Sequence, residues 1–503
     1  MSTIPVIIGA TCSLLSLQLQ ALEMPDMSSV SDTVSNKVSD VFGEGYQTFS
    51  GDASFDLYYY NQEDSKGSPP SIVPTLSMQP KFYKEFFDGD LGFNFVPFLR
   101  LTEHGNTSAD YDIRELNFKY FLDDWTFKAG FDREFWGVTE STNKVDVLNQ
   151  VDLAGTLGGI QKLGQPMFKV SYASDYGEFS GYWLPYFRTR TFPGPNSALG
   201  DLPGVQQDED AVGFEGKNRR WHQDFAFRWT HTFGDIDMAL SFFNGVDRTP
   251  IVLPTRDKNN VIVTNIFRGL DNEIIYNSAA IGTSPSDPSV QEITLNAGQE
   301  NSRLATDIEQ SDILDNLGSG AYFGLPAEIT PFYVIKRQLG LEAQYTKGSW
   351  IFKTEITAVN SFKEDEGFVG GDGSYAEVQR DYQTFTGGIE YVIPGLFGTP
   401  ADLTIFSEYL WDSRETSPFE SDIFLASRLN FNDEQGSDAF ISIIKDTDTA
   451  QALYSIGASR RLGDSWRIGL SGITFRGISK AEAEQALGIR QIDFVQFQIK
   501  RFF

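Results

Sequence analysis

Along most of the chain, apolar and polar side chains alternate in short segments. In Trp125-Thr126-Phe127-Lys128-Ala129-Gly130-Phe131-Asp132 the odd positions are apolar and the even ones polar or small. In Asp224-Phe225-Ala226-Phe227-Arg228-Trp229 the charges fall on even positions, and in Gly387-Gly388-Ile389-Glu390-Tyr391-Val392-Ile393 Glu390 interrupts the apolar series from the opposite face. Successive side chains of a strand point to opposite faces, so each segment reads as a β-strand with one greasy and one polar side. Such runs fall at approximately 49–60, 72–87, 91–104, 111–122, 125–136, 166–173, 178–188, 220–232, 235–247, 331–346, 349–361, 381–393, 402–413, 421–431, 437–446, 450–461, 465–476 and 490–503. The run at 72–87 is the weakest of these about eighteen strands, because Pro74 and Pro80 interrupt it.

Turn chemistry orders the strands. Asp88-Gly89-Asp90, Leu122-Asp123-Asp124, Asp175-Tyr176-Gly177, Phe233-Gly234-Asp235, Lys347-Gly348-Ser349, Asn432-Asp433-Glu434 and Leu462-Gly463-Asp464 are short turns between two runs, and Pro394-Gly395-Leu396-Phe397-Gly398 is a longer one. An even strand count puts every short turn at one end and the long loops 137–165, 188–219, 248–330 and 362–380 at the other. The 248–330 insertion is too long for a structureless loop and is expected to pack on itself over or into the mouth. Ile478 to Ile489 contains a short helix candidate.

A soluble sandwich also alternates. Here, however, Lys128, Lys169, Arg228, Glu342, Lys353, Glu355, Glu390, Arg428 and Arg467 all fall on the polar face. So many charges would be costly in a dry core, and a hydrated lumen is the economical alternative. The last strand, Asp493-Phe494-Val495-Gln496-Phe497-Gln498-Ile499-Lys500-Arg501-Phe502-Phe503, points Val495, Phe497 and Ile499 one way and Gln496, Gln498 and Lys500 the other. It ends on an aromatic residue. In both respects it resembles the closing strand of Gram-negative outer-membrane β-barrel porins and channels. The resemblance implies an all-β fold: a transmembrane antiparallel barrel of about eighteen strands over 49–503, with short periplasmic turns and long extracellular loops. It implies lipid, lipopolysaccharide and the barrel-assembly machinery as partners, with Phe503 as the assembly signal, and a monomer or homotrimer as the state.

Composition fits. Phe dominates the aromatic residues (42 Phe, 20 Tyr, 8 Trp), which suits a lipid-facing wall with interfacial girdles. After the N-terminus no stretch approaches the roughly 18 apolar residues of a membrane helix. The formal charge of −29 argues against nucleic acid as a partner, since its binding needs basic patches. The segment from Ile4 to Leu15 resembles the apolar core of a secretory signal, with cleavage after Ala21; residues 22–48 then read as a Ser-rich periplasmic lead-in. Cleavage removes Cys12, the single cysteine, and with it any disulfide or thiolate metal site.

The candidate chemistry is a pore. Loop 137–165 resembles, in order and size, the loop that folds inward and narrows general porins. Its Glu140, Asp146 and Asp152, preceded by Asp132 and Glu134, are expected to face basic groups across a constriction. Lys128, Lys169 and Arg228 supply the opposing wall, with Arg188 and Arg190 just above. Opposed charge at close quarters orients polar solutes and penalises apolar ones. The reading is therefore passive diffusion of small hydrophilic solutes, with no cofactor, no metal and no enzymatic step. Trp136, Tyr182, Tyr186 and Trp221 are read as packing or girdle residues, with a sugar-stacking slide as the alternative. The acidic turns Asp208-Glu209-Asp210 and Gly370-Gly371-Asp372-Gly373 read as solvated loops rather than calcium sites. Two rival readings stand: a closed-lumen structural or adhesive barrel, and a barrel hydrolase using His104, His222 or His231. Neither G-x-S-x-G nor H-E-x-x-H occurs, and the bland reading puts His222 and His231 at the rim or lumen of one strand.

Overall fold

The computed structural model describes residues 46–60, 72–103, 107–153, 161–192, 204–205, 212–215, 217–255, 266–268, 274–276, 328–360, 367–369, 375–377, 381–414, 420–477 and 493–503. The expected signal peptide, nearly all of the lead-in, the helix candidate at 478–489 and both acidic turns lie outside the described residues.

Eighteen strands form one sheet: β1 Gln47–Tyr60, β2 Ile72–Phe86, β3 Leu91–Glu103, β4 Thr107–Leu122, β5 Trp125–Asp132, β6 Gln165–Ser174, β7 Gly177–Leu184, β8 Asp224–Phe233, β9 Ile236–Val246, β10 Ile335–Lys347, β11 Trp350–Asn360, β12 Tyr382–Ile393, β13 Asp402–Asp412, β14 Ser421–Asn430, β15 Asp438–Asp446, β16 Ala452–Leu462, β17 Trp466–Arg476 and β18 Phe494–Phe502. Each pairs antiparallel with the next. β1 also pairs with β18, Asp52 opposite Phe502 and Tyr60 opposite Phe494, so the sheet closes into a barrel. Closure leaves no edge strand with unpaired backbone groups, which a bilayer would not tolerate.

β2 survives its two prolines. The β2–β3 ladder pairs Met78 with Leu99 and Phe82 with Phe95 but skips the positions around Pro80 and Pro97, neither of which has an N–H to give. Next to that gap the β3–β4 register shifts, so that Val96 pairs with Glu115 and Pro97 with Ile113. Arg114 is the extra, bulged residue. The bulge turns its side chain into the barrel, where it is fully buried.

Several strand boundaries differ from expectation. The run 331–346 is two strands: Glu328–Tyr333 belongs to a separate small sheet, and β10 starts at Ile335. The chain steps between them at Val334, whose carbonyl accepts the N–H of Asp247. β5 stops at Asp132 and β7 at Leu184, earlier than expected, because the chain leaves the wall there for a loop. The connections from β3 to β4 and from β15 to β16, both at the long-loop end, are themselves short.

The two faces behave as the alternation requires. Phe55, Leu339, Ile356, Ile405, Ile441, Ile456, Leu470 and Phe497 point outward and are exposed. Trp125, Trp350 and Trp466 begin their strands directly after the short turns, while Tyr59, Trp183 and Trp411 sit near the opposite ends. These aromatics bound the apolar belt at two levels, as at the two interfaces of a bilayer. Arg501 breaks the outward apolar series of β18 but lies over the Trp466 ring, 5.1 Å from its centroid. Phe503 packs on Phe49 at 5.8 Å and donates its N–H to Gly51 O.

At the mouth, Glu328–Tyr333 pairs antiparallel with Ile251–Thr255 and parallel with Gly204–Val205 and Gly213–Phe214. This sheet joins the loop after β7 to the loop after β9. Below it Phe187, Val212, Val246 and Tyr333 are buried together.

Candidate functional site

After Asp132 the chain turns into the barrel and returns to the wall at Gln165. Asn149 ties the two ends of this loop. Its Oδ1 accepts the Glu134 N–H at 3.0 Å, and its Nδ2 donates to Asp132 O at 2.8 Å and Leu163 O at 2.9 Å. Val151–Asp152 pairs with Gln161–Lys162 in a short ladder. At the loop's end Gly164 lies so close to the β4 bulge that a Cβ would sit 2.6 Å from Ile113 O.

One side of the loop is apolar. Trp136, Val145, Val147 and Leu148 pack on Met167, Tyr182, Leu184, Ala226 and Phe243, which point inward from β6 to β9. This explains why apolar residues interrupt the polar face of those strands. Burying each large side chain contributes about 1.5–3 kcal/mol, so the patch is a firm anchor. Trp136 and Tyr182 meet edge-on at 5.6 Å within it and are packing residues. Tyr186 and Trp221 form a separate edge-on pair, 4.9 Å apart.

The charges pair differently from expectation. Asp152 does meet basic groups, but they are Arg114 at 2.5 Å and Arg100 at 3.1 Å, with Thr191 Oγ1 donating at 2.6 Å. Glu140 meets Lys353 at 2.6 Å, and Lys353 also pairs with Glu390 at 2.9 Å. Asp146 pairs with Lys162 inside the loop rather than with the wall. Lys128 and Lys169 face the lumen opposite one another in register, but they serve the root of the loop: Lys128 binds Asp132 at 2.5 Å, and Lys169 binds Glu134 at 3.1 Å. Arg228 pairs with Glu342 at 2.7 Å. Arg188 binds Asp112 and the Gly164 carbonyl, each at 2.7 Å, and Arg190 donates to Gln150 and to the Arg248 carbonyl. The expected wall of Lys128, Lys169 and Arg228 therefore does not face Glu140, Asp146 or Asp152. Asp132 and Glu134 at the root of the loop reach the two lysines first, and the wall acid Glu342 reaches Arg228.

The tip, 137–141, rests on three wall glutamates. Glu342 accepts the Gly137 N–H at 2.9 Å, and Glu355 accepts those of Val138 at 2.7 Å and Thr139 at 3.0 Å, plus the Thr139 hydroxyl at 2.8 Å. Glu408 accepts the N–H groups of Glu140 and Ser141, both at 2.8 Å, and the Ser141 hydroxyl. Below the tip, on the short-turn side, lies a cavity of about 460 Å³ whose lining includes Val138, Glu178, Arg228, Thr230, Asp237 and Glu342.

The histidines do not share a face. His222 lies at the rim, its Nδ1 2.7 Å from Asp224. His231 is at the other end of β8 and points outward, between Trp229 at 6.1 Å and Phe233 at 4.3 Å, so it belongs to the girdle and not to the rim or lumen. His104 lies outside the described residues.

Lys144, in the loop, sits 3.7 Å from Asp412. Burial pushes its ammonium down to about 8 despite that partner. Raising the pH through 8 therefore removes one positive charge from the lumen. The reversal potential in a salt gradient should move toward cation preference between about pH 7 and 9. Lys144→Arg, which does not titrate there, should reduce the shift.

A closed barrel with an apolar belt between aromatic girdles and a charged interior defines the class of integral outer-membrane β-barrels. This chain is such a barrel. No family model matches it, and no curated protein matches it. Among solved structures, Pseudomonas aeruginosa OccK5 (OpdH) aligns over 91% of this chain and 98% of its own, at 8% identity and a TM-score of 0.45. Pseudomonas aeruginosa OccK8 (OprE) aligns over 91% and 97%, at 10% identity and the same score of 0.45. OmpT, an outer membrane protein of Vibrio cholerae in its trimer form, aligns over 91% and 99%, at 10% identity and 0.35. Likeness at this distance carries neither residues nor function across.

Proposed function

We propose that the chain is a porin-like channel for passive diffusion of small hydrophilic solutes, its lumen narrowed by the loop between β5 and β6. One observation carries the reading: the loop lies across the inside of a charged wall, held on its apolar side by packing and at its tip by ion pairs and hydrogen bonds. A narrowing that is rigid and polar sorts solutes by size and charge without an energy source. Lys353 with Glu140, Arg100 and Arg114 with Asp152, and Arg228 with Glu342 then take the place of the simpler opposed walls. Of the two described histidines, His231 faces outward among girdle aromatics, and His222, beside Asp224 at the rim, is the one a hydrolase reading would use.

Single-channel current of refolded protein in a planar bilayer tests the proposal. Stable ohmic steps are expected. Their absence from correctly folded, heat-modifiable protein would favour the closed-lumen surface barrel instead.

A further inference from the structure

We infer that Glu342, Glu355 and Glu408 are positioning residues that set the width of the passage by gripping the backbone of the loop tip. They stand on three strands, β10, β11 and β13, and their side chains are buried. Five successive backbone N–H groups, from Gly137 to Ser141, are each taken by one of these carboxylates. Carboxylates suit such a grip. When ionised they only accept, and hydrogen bonds to them are stronger than neutral ones.

The wall alone gives no reason for Glu355 and Glu408 to be there. Glu342 and Glu355 are direct cross-strand neighbours, and like charges so placed repel. Glu342 has Arg228. For Glu355 and Glu408, every hydrogen bond found among the described residues comes from the loop, from the segment 138–141 and from the Asn143 amide, which donates to Glu355 at 2.8 Å. Buried charges without such donors would be strongly unfavourable. The grip also fixes direction, because Glu140, held by its own N–H, points its carboxylate at Lys353.

The test is hydrogen exchange of the refolded full chain, read at Val138, Thr139, Glu140 and Ser141, beside single-channel conductance. In Glu355→Ala and Glu408→Ala those amides should exchange about 10- to 100-fold faster, as loss of a charge-assisted hydrogen bond implies. Conductance and open-state noise should rise. Glu355→Gln, which keeps an acceptor but not the charge, should fall between wild type and Glu355→Ala. Should the alanine variants not assemble, Thr139→Val and Ser141→Ala remove hydroxyl donors to the same carboxylates and should shift exchange in the same direction. Unchanged exchange in folded variants overturns the inference. The inference deepens the channel proposal but depends on it only for the conductance readout. A wild type that conducts nothing, with tip amides that lose protection in the variants, would sink the channel and leave the grip standing.

Discussion

Replacing Asp152 with alanine should destabilise the folded barrel by about 3–5 kcal/mol, the range for breaking a buried ion pair by removing one partner. The Asp152 carboxylate lies between the buried guanidinium groups of Arg100 and Arg114 and also accepts the Thr191 hydroxyl. Arg114 is there only because the bulge in β4 re-aims it, so the bulge and the acid form one unit. Without Asp152 the two cations lose the acid they share and, among the described residues, keep Asp110 and Asp112 as carboxylate partners, one apiece. The measurement is the urea midpoint of the refolded protein followed by tryptophan fluorescence, and a midpoint equal to wild type would refute the expectation. Acid should not mimic the mutation. Burial pushes the Asp152 carboxyl up, but Arg100 and Arg114 outweigh it and hold the group well below the usual carboxylate range. A depressed carboxylate contributes its full stability above the unfolded value of about 4 and loses it only as pH falls through the folded value. The contact should thus persist at pH values near about 4.

Gly137→Val should release the loop tip. Gly137 has φ +118, a region closed to side chains, and a Cβ there would lie 2.6 Å from Asn143 Cγ and 2.7 Å from Glu355 Oε1. Backbone strain of this kind costs of order 1–3 kcal/mol before any clash is counted. The tip must move, and the donors to Glu342 and Glu355 move with it. Larger conductance, and passage of neutral polymers that wild type excludes, is the expected outcome. An unchanged size cut-off would mean that another segment sets the width.

The barrel was legible in the sequence because lipid and lumen impose a period of two on every strand, and even β2, with its two prolines, keeps the pattern. The split at Val334 was not legible, since the alternation runs straight through it into a different sheet. Glu408 was missed for a related reason. In Ser407-Glu408-Tyr409 it looks like any lumenal acid, and its partners are backbone N–H groups, which carry no sequence signature. Arg114 escaped because a bulge cannot be counted from alternation alone, whereas Arg100 sits on the inward face its strand's alternation gives and was missed because nothing in the sequence ties it to Asp152. One signal was available and unused: Met167, Tyr182, Leu184, Ala226 and Phe243 are apolar where their strands should be polar. Together they mark where a loop must lie.

That inward apolar patch also bears on the order of assembly. It sits on the four strands that directly follow the loop in the chain, so the loop can settle on it while the sheet is still an open ribbon. The grip on the tip reaches 205, 217 and 268 residues ahead in sequence. Contacts of such long range form late. A sheet that held β5 to β9 but lacked β10, β11 and β13 would therefore offer the loop its apolar seat and no carboxylates for its tip.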